Sequence, residues 1–152
     1  MSLTDIKNLY QTSKLNTSLD LALQSGTPST IALEGLVGST AAFVTAALYK
    51  KKKQPLLLIL EDKEQAAYFF NDLENIMAEE QLYFFPASHN RPYQIEAVDN
   101  ANVLLRAETI QALQNTKNPF VIVSYAEALF EKVSTRKELL KYTLAIKSGQ
   151  NL

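Results

Sequence analysis

Between Thr30 and Ala42 the chain reads Thr-Ile-Ala-Leu-Glu-Gly-Leu-Val-Gly-Ser-Thr-Ala-Ala, an apolar run, a turn holding two glycines, and then residues that favour helix. This order predicts strand, loop and helix, the outline of a phosphate loop with the pattern G-x-x-x-x-G-K-[ST]. In such a loop, backbone N–H groups and the helix N-terminus cradle phosphates, while the Lys and the hydroxyl serve the terminal phosphate and Mg²⁺. Gly35 takes the first glycine position, Gly38 and Ser39 sit inside the loop, and Thr40 stands where the second glycine belongs. Ala41 and Ala42 replace the Lys and the hydroxyl. The outline is kept without its chemistry, so these six residues are expected to bind no cofactor. A glycine turn joining a strand to a helix explains them equally well.

Two other stretches carry chemical groups. Lys50 to Lys53 form a basic run, but it falls at the predicted end of the helix after the loop, where cations complement the macrodipole and the last carbonyls. A solvated helix end is the expectation. His89 is the one histidine, and the chain has no cysteine. Without a second His or a carboxylate pair close to it in sequence, His89 reads as a loop residue, and no metal site is expected.

Composition sets the frame for these groups. With 152 residues, 47% of them hydrophobic, the chain can bury the core of one domain. Its 15 basic and 16 acidic residues give a net charge of −1, so no overall field draws it to nucleic acid or an anionic membrane. No apolar run approaches the roughly 18 residues of a membrane span. The start Met1-Ser2-Leu3-Thr4-Asp5 lacks the regions of a signal peptide. A cytoplasmic setting is expected.

Apolar spacing predicts two short helices, at 3–14 and 18–24, then a break at Ser25-Gly26-Thr27-Pro28. Strands are expected at 30–34, 55–60, 82–85 and 119–123. The unbroken run Pro55-Leu56-Leu57-Leu58-Ile59-Leu60 predicts a central strand buried on both faces. Helices are expected after the loop, after Glu61-Asp62, at 98–114 and at 126–131. The second of these should bury Ala66, Phe69, Phe70, Leu73 and Met77 and leave Tyr68 in solvent. The helix at 98–114 has apolar residues over a wide arc, with Val98, Ala101, Leu105 and Ala112 on one side and Val103 and Ile110 well away. It is expected to meet something besides the sheet. Alternating elements predict an α/β fold with a parallel, helix-flanked sheet. Tyr142, Leu144 and Ile146 alternate with more polar neighbours, as in a strand opening a further domain. The expected organisation is therefore a helical segment at 1–27, an α/β domain at 28–138, and the start of a following domain at 139–152.

The degenerate loop from Gly35 to Ala42, the strand Gln54 to Ile59, the strand end Phe84-Phe85-Pro86 and the stretch Pro119 to Ser124 together resemble one family. It is the N-terminal region of the bacterial transcription-repair coupling factor, Mfd, itself similar to the first domain of the excision-repair helicase UvrB. The resemblance runs from about Thr30 to the end of the chain and lies in the order and spacing of these stretches. Two departures from UvrB stand out. One is the pair Ala41 and Ala42; the other is the short Gln94-Ile95-Glu96-Ala97, where UvrB carries a long DNA-clamping hairpin. The resemblance implies a RecA-like module, as in UvrB domain 1a, that no longer handles nucleotide and is not itself an enzyme. It implies that UvrA is recruited through the following domain. ATP and Mg²⁺ would serve a motor further along the whole protein, which acts on DNA and on stalled RNA polymerase. Two other readings start from the residues alone: a stand-alone nucleotide-binding enzyme with an unusual phosphate loop, and a single-stranded nucleic-acid binder using Lys50 to Lys53 with exposed tyrosines.

Overall fold

The computed structural model describes residues 2–25, 27–77, 81–88, 100–115 and 117–133. Two short helices, α1 (Leu3–Gln11) and α2 (Lys14–Ala22), open the chain. Each is started by a serine side chain: Ser2 and Asp5 form a reciprocal capping box, and Ser13 accepts from Asn16 N–H. The first helix, expected to run to residue 14, ends at Gln11 and the second, expected from 18, starts at Lys14, because Thr12 ends one helix and Ser13 caps the next.

A parallel sheet follows, made of β1 (Leu56–Leu60), β2 (Leu82–Phe85) and β3 (Val121–Tyr125) in the order β1-β3-β2. It is accompanied by α3 (Thr40–Lys52), α4 (Lys63–Ile76), α5 (Asn100–Asn115) and α6 (Ala126–Phe130). Side chains alternate along a strand, so Val121, Val123 and Tyr125 turn to one face. There they join Ala42, Ala46 and Tyr49 of α3, and Ala66, Leu73 and Ile76 of α4. Small residues on α3 let it lie close, and the Tyr49 hydroxyl donates to Pro119 O at 2.7 Å. Asp62 caps α4 by accepting from Gln65 N–H at 2.8 Å. That helix turns Phe69 and Phe70 inward and leaves Tyr68 76% exposed, as its spacing predicted.

Two expectations for the sheet fail. Residues 30–37 carry no regular structure and pair with no strand among the described residues, with Ile31 and Leu33 more than a third exposed. The apolar run there is three residues long and has Ala32 at its middle, so it offers little side chain to hold a strand in place. The run at 55–60 forms a strand, but at the sheet's edge: Leu57 is 55% and Ile59 57% exposed. All five residues of β3 are buried, and β3 is the central strand. A run of apolar residues shows that a segment can be buried on both faces; a second neighbouring strand is what makes it central, and among the described residues β1 pairs with β3 alone.

The expected strand at 142–146, the boundary at 139, His89, and the segment 94–97 all lie outside the described residues.

Candidate functional site

Two places compete, the glycine loop and the C-terminal ends of β2 and β3. In the first, Gly38 and Ser39 form a turn closed by Thr40 N–H donating to Val37 O at 3.2 Å, and α3 begins at Thr40. Gly35 and Gly38 have φ of +76° and +57°, a region glycine enters without steric cost. Space is open around both, since a Cβ on either would meet nothing within 4 Å. Ser39 precedes the helix without a side-chain cap bond. Ala42, at the position of the Mg²⁺-binding hydroxyl, is fully buried in the core. No Lys or Arg occurs from Thr27 to Tyr49, and Glu34 adds a negative charge. The structure thus brings Gly38, Ser39, Thr40, Ala41 and Ala42 together at a helix start, with Gly35 in the irregular stretch before it.

The basic run ends α3 as expected, with Lys50, Lys51 and Lys53 exposed, and two of its lysines also form ion pairs. Lys51 Nζ lies 2.7 Å from Asp20 Oδ2, and Lys52 Nζ lies 2.5 Å from Asp20 Oδ1. Lys52 also donates to the Asp20 carbonyl at 3.3 Å. These lysines hold α2 against α3 instead of standing free in water. The hydrogen bond from Lys51, then that from Lys52, lowers the Asp20 carboxyl to about 2. Lys53 ends the helix in the left-handed region at φ 47° with its Nζ 5.0 Å from the centre of the Tyr49 ring.

The second place is a polar network that reading for apolar periodicity missed. In open parallel sheets, ligands bind beyond the carboxyl ends of the strands. There the Tyr125 hydroxyl accepts from Ala87 N–H at 2.9 Å, Asn102 donates to Ala87 O at 2.9 Å, and Ser124 donates to Phe85 O at 2.8 Å. Arg106 Nη1 donates to Pro86 O at 2.7 Å and Ala128 O at 3.1 Å, with its guanidinium 4.2 Å from the Phe85 ring centre. Glu131 accepts from Ser88 N–H at 2.7 Å and from the Ser88 hydroxyl at 2.5 Å, and lies 3.6 Å from Arg106. Burial lowers the Arg106 pKa and raises that of Tyr125. Asn102, Arg106 and Thr109 stand at i, i+4 and i+7, one face of α5, and all three are buried. That polar spacing was the available signal.

The network is a clamp. Ser88 and Arg106 are at least nine-tenths buried, and the Glu131 carboxylate is engaged by both. A pocket of about 260 Å³ opens beside it, between Val103, Ala107 and Ile110 of α5 and Glu131, Lys132 and Val133. Among the described residues no group of three His, Cys, Asp or Glu could hold a metal ion. No helix among them is long and apolar enough to cross a membrane.

The fold class is α/β, a small parallel sheet flanked by helices. Compared with known proteins, the chain matches no family model, no curated protein and no solved structure.

Proposed function

We propose that the chain is a non-catalytic scaffolding module of a transcription-repair coupling factor, a degenerate RecA-like unit within the region that recruits UvrA. The observation that carries this reading is the order of the four resembling stretches along one helix-flanked parallel sheet. Gln54 to Ile59 leads into β1, Phe84-Phe85-Pro86 closes β2, and Pro119 to Ser124 covers most of β3. The fourth, Gly35 to Ala42, opens α3 with its glycine turn kept and its cation missing. A scaffold needs the shape of that loop for packing, and needs neither its Lys nor its hydroxyl.

On this reading UvrA is bound through a domain following residue 138, and the motor that acts on DNA and RNA polymerase lies further on. The test is a calorimetric titration of UvrA into residues 1–152 and into a natural chain extended past Leu152. Binding by the extended chain alone is the expected result. Tight binding by residues 1–152 would move the contact surface onto this module, and no binding by either would remove the reading.

A further inference from the structure

Asp20 is the point where the N-terminal helices meet the basic run. Few apolar residues hold those helices down. No residue of α1 is buried, and only Asn16, Leu19 and Asp20 of α2 are. Leu3, Leu9, Leu15, Leu21 and Leu23 remain 40% or more exposed. Among the contacts that hold the pair to α3 are the stacked rings of Tyr10 and Phe43, 5.1 Å apart and 13° from parallel, and the two ion pairs of Asp20. One carboxylate therefore occupies two of four consecutive ammonium groups.

We propose that α1 and α2 form a latch in which Asp20 stands in for a phosphate, so that a polyphosphate chain such as a single-stranded nucleic-acid backbone and the N-terminal helices compete for Lys51 and Lys52. With the latch closed, Lys51 and Lys52 are both engaged and one of their two charges is offset, so the attraction of the basic run for phosphate is reduced. Displacing Asp20 releases α2 and returns Lys51 and Lys52 to the run of Lys50 to Lys53 at the end of α3. Lys51 is already 44% exposed at its side chain and Lys52 17%, so release needs the departure of Asp20 and no rebuilding of α3. Competition for one set of charges is reciprocal: whatever opens the latch strengthens phosphate binding, and phosphate binding opens the latch.

Labelled oligothymidylate is the probe, with Asp20→Asn in the full chain as the open form. Asp20→Asn should bind it several-fold tighter than the parent chain. Two added phosphate contacts should steepen the fall of log K with log salt by about 1.4. Lys51→Gln and Lys52→Gln, added to Asp20→Asn, should cancel the gain. Amide hydrogen exchange gives the second readout and checks that each variant folds. Saturating oligothymidylate should speed exchange in α1 and α2 of the parent chain and leave β3 and α4 protected. Equal affinity and equal salt slope for parent and Asp20→Asn would overturn the latch. So would binding that leaves exchange in α1 and α2 unchanged, or an Asp20→Asn chain that loses protection in β3 and α4 as well.

Discussion

The loop at 35–39 and the network at the ends of β2 and β3 are opposites. The loop has glycines at φ of +76° and +57°, open space around them and no cation from Thr27 to Tyr49. The network has no recognisable motif, yet it gathers Ser88, Asn102, Arg106, Tyr125 and Glu131 from separate parts of the chain. A motif can outlive its chemistry because turn geometry depends on a few backbone angles. A polar network has to be satisfied bond by bond, since each orphaned buried group costs stability. The cohesion of the module lies with the network and the core; the loop contributes shape.

Substitutions can break this contrast, beginning with the sheet that supports both regions. Val123→Asp places an unpaired charge at a fully buried position of the central strand. The expected cost of several kcal/mol, against a total stability of about 5–15 kcal/mol, unfolds the chain. Leu57→Asp on the exposed side of β1 should change stability by no more than about 0.5 kcal/mol. Urea titrations of the pair compare them, and equal losses would contradict β1 as the edge strand.

Within the network, Arg106→Ala strips a donor from Pro86 O and Ala128 O and a partner from Glu131. It should cost about 2–4 kcal/mol by chemical denaturation. Arg106→Lys should recover only part of this, because an ammonium cannot reproduce the planar fork over Phe85. A loss under about 0.5 kcal/mol would remove the network's claim to hold the sheet ends.

In the loop, Gly38→Ala should cost about 1 kcal/mol from the positive φ alone, because a Cβ there meets no neighbour. Mg-ATP should leave the melting temperature unchanged, whereas ligand at 100 times Kd would add about 2.7 kcal/mol. A clear shift would return nucleotide chemistry to the loop.

The last effect concerns Asp20. Its folded pKa of about 2 lies below the ordinary 3.8. Its contribution to stability is therefore fully present above the unfolded value and is lost as pH falls through 3.8 towards 2. Asp20→Asn should lose that contribution at neutral pH and flatten that limb of an acid titration followed by circular dichroism. An unchanged acid limb would show that the two lysine pairs contribute nothing.

Much of the local architecture was legible in the sequence. Asp62 at the start of α4, Tyr68 on its outer side, and the small residues of α3 follow from caps and helical spacing, which are properties of neighbours in the chain. The strands β1, β2 and β3 lie close to where their apolar runs put them. The charge missing from the phosphate-loop pattern was readable from Ala41 and Ala42. The buried orientation of Ala42 was not, because it depends on what α3 packs against.

The amino-acid order by itself determined the alternation of helices and strands, the glycine turn and its missing cation, because each rests on forces acting over a few residues. Tertiary structure alone decided that β3 and not β1 is central, since centrality counts neighbours that come from distant parts of the chain. It decided that Ile31 to Leu33 stays outside the sheet, because a strand exists only by pairing. And it brought Asp20 to Lys51 and Lys52, and Arg106 to Pro86, Ala128 and Glu131: a charge carries no mark of its partner until folding removes water from between them.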